Sequence, residues 1–163
     1  MSHPISSIST PKKNLQGTLI LFVSVVISIF LLMLIALLIG QTKGPLAPAL
    51  NKYYTTFSWA MASLSFVCLF AARRIFSKGI AAAKNSLNPL NYKLNQHRSA
   101  LIKFLVICEA PAILSIILFI LNGKFVFQVY AGVFLGFMLA MVPRRRRVVT
   151  ELELDWQQQK ELE

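Results

Sequence analysis

The chain has 163 residues, 56% of them hydrophobic and 14% charged, with a mean hydropathy of +0.62. Soluble domains are about 25% charged, and four spans of roughly 20 residues each leave too little chain for a separate catalytic domain. The 17 basic residues outnumber 6 acids, while 2 cysteines and 2 histidines make neither a metal-ligand cluster nor a disulfide framework.

Residues 1–17 read as a cytoplasmic leader that includes His3. The first apolar run, 18–40, carries no charge. It exceeds the roughly 7–15 apolar residues of a cleaved signal sequence and reads as an uncleaved spanning helix. The second run, 53–72, is weaker. Serines interrupt it, Tyr53, Tyr54 and Trp59 suit a membrane interface, and Arg73-Arg74 stop it. Residues 73–84 are rich in helix formers, so the helix continues into a helical cytoplasmic middle loop. Asn88 as N-cap and Pro89 in the first turn start a third helix, where Leu90, Leu94, His97 and Leu101 recur at helical spacing. With no carboxylate or cysteine near it in sequence, His97 reads as an interfacial surface residue. The third span covers 100–121. The turn at Asn122-Gly123 is so short that the fourth span, 125–142, must lie antiparallel beside it. Pro143 and Arg144-Arg145-Arg146-Arg147 end that span and open a cytoplasmic tail over 144–163. The predicted fold is an all-α integral membrane protein, with a four-helix up-down-up-down transmembrane bundle over 18–143.

Alternate connecting segments carry 14 and 3 basic residues (2, 7 and 5 against 2 and 1). Cytoplasmic segments hold the basic excess, so both termini and the middle loop face the cytoplasm. Arg144, Arg145, Arg146 and Arg147 then meet anionic headgroups, at about 1 kcal/mol per basic residue. Orientation accounts for the charge, and no nucleic-acid partner is expected. The tail holds five of the six acids and alternates apolar and acidic residues over 151–156. Thr150 and Glu153 also fit a helix capping box, and periodicity does not choose between strand, helix and disorder. The tail either lies solvated against its own arginines or offers Leu152, Leu154 and Trp156 to a partner.

Glu109 is the one carboxylate before residue 150. At the centre of a span such a group costs roughly 2.5–3.5 kcal/mol, which makes it a site by default. Pro111 sharpens it by removing a helical hydrogen bond and inviting a kink. If Lys103 marks the boundary, Glu109 lies about 9 Å inside it, level with Ser24 or Ser28, Ser65, Cys68 and Gly136. Arg73 and Arg74 are its expected ionic partners. Gly132, Gly136 and Ala140 form a small-xxx-small stripe, the expected face for close helix approach. The residues leave open a structural carboxyl or a proton- or cation-binding group.

The run Leu94, Arg98, Ala100-Leu101-Ile102, Leu105, Glu109-Ala110-Pro111, followed by an apolar helix, Asn122-Gly123 and a last span, resembles a family of small uncharacterised bacterial inner-membrane proteins. The resemblance covers about residues 70–155 and implies four spans, with Arg98 and Glu109 as its characteristic positions and no activity attached. No phosphate-binding glycine loop, nucleophile elbow or paired carboxylate is present, so no enzyme chemistry, cofactor or metal is expected. The sequence reads as an accessory or assembly component of a membrane complex, with a membrane-protein partner or a second copy. The alternative is a small proton- or cation-coupled transporter or channel subunit that uses Glu109.

Overall fold

The computed structural model describes residues 11–85, 89–154 and 156–160, and every regular element among them is helical. Helix α1 covers Pro11–Lys43, α2 Tyr54–Lys84, α3 Leu90–Asn122 and α4 Phe125–Ala140, followed by the short α5, Arg145–Leu152, and α6, Trp156–Lys160. Three segments are long and apolar enough to cross a membrane: Lys12–Lys43, Pro48–Lys84 and Leu90–Asn122. A fourth passes only if α4 and α5 count together, and they are bent by 74°. Alone, α4 has 16 residues, about 24 Å at 1.5 Å per residue, against a hydrocarbon core of about 30 Å. The predicted span 125–142 is therefore shorter than expected. Pro143 explains the early stop, because the residue before a proline is pushed out of the helical region.

Helix α1 opens earlier than expected. Its described turns begin at Pro11, seven residues before the apolar run, and a proline in a first turn forfeits no helical bond. Residues 11–17, counted with the leader, are helical, with Asn14 buried and Leu15 packed against the second apolar cluster. Asn14 Nδ2 donates to Asn95 Oδ1 at 2.9 Å, and Thr18 is buried. His3 lies outside the described residues, as do 86–88 with the expected N-cap Asn88. Pro89 is itself the N-cap of α3, so the helix proper begins one residue later than read.

At the opposite end, the N–H groups of Leu46 and Ala47 donate to the carbonyls of Ile120 and Leu121, which α3 cannot satisfy internally. Gly123 follows with φ 68°, and a Cβ there would meet Pro45 at 3.2 Å. Helix α3 is the central member, touching α1, α2 and α4. Its Phe104, Leu105, Cys108 and Ala112 join Phe22, Ile29, Ala36, Phe76, Phe127 and Phe134 in one apolar core. The helix also runs through Pro111 unbroken, with Ser115 Oγ donating to the Pro111 carbonyl at 2.8 Å.

A second cluster caps the end where α2 finishes and α3 begins, which we call the basic end. There Val148, Leu152 and Leu154 bury against Ala83, Leu90 and Leu94. Among its described residues the tail forms two short helices, with Glu151 leaning on Arg147 as one reading expected. Helix α5 is packed on the basic end rather than solvated or free as a docking peptide. Thr150 lies inside α5, and Glu153 ends it in a left-handed conformation (φ 46°), so the two form no capping box. Leu152 and Leu154 are consumed within the chain, and of the expected docking trio only Trp156 is exposed.

Candidate functional site

The polar side chains that do gather lie at the basic end. His97 points inward from α3, its side chain 4% exposed, and its Nε2 meets Glu151 Oε2 of α5 at 3.0 Å. Phe76 of α2 lies edge-on to the imidazole, 6.0 Å between centroids. Arg147 approaches the same carboxylate from the preceding helical turn, Nε to Oε1 at 2.6 Å. Its Nη1 donates to the carbonyl of Ala140, and its Nη2 contacts Met141 Sδ. A cation on the last carbonyl of α4 suits the negative end of that helix and satisfies an orphan acceptor. One arginine thus ties the end of α4 to α5, and one glutamate ties α5 to α3. Three elements are clasped together.

Burial pushes the Glu151 carboxyl up, but the hydrogen bonds from His97 and Arg147 and the Arg147 charge outweigh it, leaving its pKa below the ordinary glutamate range. The neighbouring pair Lys84–Glu153, at 2.5 Å, joins side chains 42% and 64% exposed. Such a surface pair contributes little.

His97 is therefore not the interfacial surface residue its sequence neighbourhood suggested. Its carboxylate comes from 54 positions away, beyond any local motif. A signal was nonetheless present. Arg147 with Glu151 and Val148 with Leu152 both repeat at i, i+4, marking an amphipathic helix with one charged and one apolar edge.

The expected intramembrane constellation is not assembled. Glu109 is half-buried on the rim of α3, between the buried Cys108 and the exposed Ala110, and forms no ion pair among the described residues. Arg73 and Arg74 are exposed, and Arg73 borders a cleft shared with Ser77, Met141, Arg147 and Glu151. Ser24 is exposed and donates to the Ile20 carbonyl of its own helix, while Ser28 is also exposed. Ser65 is buried, its hydroxyl without a partner among the described residues, and Pro111 is buried. The Nε of Arg98, the other position of the family resemblance, is likewise buried and unpartnered.

The small-residue stripe of α4 also faces away from the core. A Cβ on Gly136 would meet nothing within 4 Å, and one on Gly132 only Met33 Cε at 3.9 Å. Ala140 is exposed. The packing face is Phe127, Ala131, Phe134 and Met138, on the opposite side of the helix at about 100° per residue. The close approach lies elsewhere. A Cβ on Gly79 of α2 would come within 2.5 Å of Ala100 Cβ on α3. Of the four arginines, Arg144 and Arg146 are exposed, Arg145 donates to the Gln159 carbonyl, and Arg147 is turned into the clasp.

Among the described residues no three of His, Cys, Asp and Glu could hold a metal ion together. The class that fold and site define is an all-helical bundle with three or four helices of membrane-spanning length and a basic, folded cap. Neither protein-family models, nor curated proteins, nor solved structures give a match to the chain.

Proposed function

We propose that the protein is a non-enzymatic, multi-span protein of the bacterial inner membrane that serves as an accessory or assembly component of a membrane complex. In this reading four segments alternate up-down-up-down, and the basic end, with both termini, faces the cytoplasm and anionic headgroups. The sequence resemblance to small inner-membrane proteins points the same way. So does the outward apolar surface: the most apolar windows of the first two spanning segments are only 17% buried within the chain.

The observation that carries the partner role is Glu109. A carboxylate in an apolar helix, half-exposed beside Val106 and Ala110 and unpaired among the described residues, is expensive against lipid. A polar or cationic group from a second copy or a different membrane protein relieves that cost. The same exposure supports a second reading, a proton- or cation-coupled subunit working as an oligomer. Its weakness is the core beside Glu109, where Phe104, Leu105, Cys108 and Ala112 leave no polar route through one chain.

A photo-crosslinking residue at Ala110 separates the two readings. Glu109→Gln should fold and reduce the intermolecular adduct about tenfold, the equivalent of 1–2 kcal/mol for an interhelical polar contact. Undiminished adducts, with loss of a pH- or ion-dependent flux in reconstituted vesicles, would favour the transporter reading instead.

A further inference from the structure

We propose that the cleft between α2 and α3 at the basic end is a binding site for the phosphate of an anionic phospholipid, held between Lys78 and Lys103. The proposal rests on the membrane reading above and gives the lipid contact a defined place.

The cleft arises from the helix crossing. Where Gly79 meets Ala100, both helices are stripped to small residues, and the groove beside the contact is left unfilled, with a volume of about 420 Å³. Lys78 stands on its α2 wall and Lys103 on its α3 wall, Gln96 and Ser99 also line it, and no lining residue is acidic. Neither lysine forms an ion pair among the described residues. Both ammonium groups are exposed compact charges, suited to a tetrahedral anion.

Gln96 also lines the cleft. Its Oε1 is buried without a partner, while its Nε2 reaches Tyr92 Oη at 3.2 Å. A phenol both donates and accepts. Turning the amide therefore keeps the tyrosine contact and satisfies Oε1, which leaves the two lysines and Ser99 as the donors that face the cleft. The hydroxyl of Ser99 is an exposed donor.

The position suits a lipid rather than a free ion. Ala100 opens the apolar stretch 100–121, so the cleft lies at headgroup level. Ile75 on its wall and Val106, one turn beyond Lys103, are 38% and 58% exposed and continue as an apolar ridge for an acyl chain. Basic pockets between spanning helices are the expected place for such headgroups.

The test uses the full chain in dioleoyl-phosphatidylcholine nanodiscs, with dioleoyl-phosphatidylglycerol added and retained lipid read by native mass spectrometry. Lys78→Gln and Lys103→Gln should each weaken retention about fivefold, and Ser99→Phe should weaken it without changing charge. Lys93→Gln, at the same end but outside the cleft, should leave it unchanged. If Lys93→Gln weakens retention as much, or folded Ser99→Phe retains lipid like the parent, the cleft is not the site. Equal occupation by millimolar inorganic phosphate would overturn the lipid as its source. Should a lysine variant fail to fold, Ser99→Phe still decides. Insertion into pure phosphatidylcholine discs is scored separately, so loss of the lipid preference leaves the membrane reading standing.

Discussion

Gly79→Ala should destabilise the bundle by about 1–3 kcal/mol, the usual penalty for overpacking a close contact. The added Cβ would stand 2.5 Å from Ala100 Cβ and 3.5 Å from its Cα. The nearest atoms belong to a short side chain and to backbone, so neither can swing aside and the helices must separate. Alanine gains roughly 1 kcal/mol of helix propensity over glycine, which makes a net loss the more telling. Ala100→Gly in the same chain should restore part of the stability, since it removes the opposing methyl and the two sites are coupled. Gly136→Ala should change stability by less than about 0.5 kcal/mol, or raise it, because nothing lies within 4 Å of the new methyl. Unfolding titrations in mixed micelles provide the comparison. A larger loss at Gly136 than at Gly79 would move the close contact back to α4.

Glu151→Ala should have the second large effect. It removes the acceptor shared by the inward-facing His97 and by Arg147, whose side chain is 31% exposed. Hydrogen bonds to charged groups contribute about 1.5–3 kcal/mol each, and the partly solvated arginine recovers some of its share from water. A loss of about 2–3 kcal/mol is expected, with α5 released from α3 and the Arg144–Arg147 stretch becoming a fast protease site. The pH dependence follows in sign. The folded pKa of Glu151 lies below its ordinary value. Its contribution is therefore complete above the ordinary glutamate range and declines as pH falls through the folded value. The parent should become protease-sensitive at its tail on acidification, while Glu151→Ala should be sensitive throughout. Equal cleavage of parent and variant at neutral pH would remove the clasp from the account.

The long apolar helices and their order were legible because long apolar runs, basic stops and a two-residue turn are local signals. Azimuth was not. Depth arithmetic set Glu109 level with groups on other helices, but height along an axis says nothing about which way each side chain faces. Arg73 turned toward Arg147 and Glu151, and Ser24 turned outward. The stripe of Gly132, Gly136 and Ala140 showed only that α4 could approach a neighbour closely. The bulkier stripe on the opposite side packs instead, and the close crossing fell to Gly79, in the helical segment read as the cytoplasmic middle loop. His97 was misread because its partner is supplied by a tail whose alternating acids hid a one-turn amphipathic pattern. That pattern needed the end of α2 and the start of α3 beneath it before its apolar edge had a surface to cover.

The orientation of the basic end is tested most directly by single cysteines in a chain carrying Cys68→Ala and Cys108→Ala. Ser77 and Thr150 are exposed at the basic end, Thr42 and Lys124 at the other. Replaced one at a time by cysteine, Thr42 and Lys124 should react with an impermeant thiol reagent in intact cells, and Ser77 and Thr150 only after the membrane is opened. Labelling of Ser77→Cys or Thr150→Cys from outside would contradict the account, as would release of the protein from membranes by alkaline carbonate.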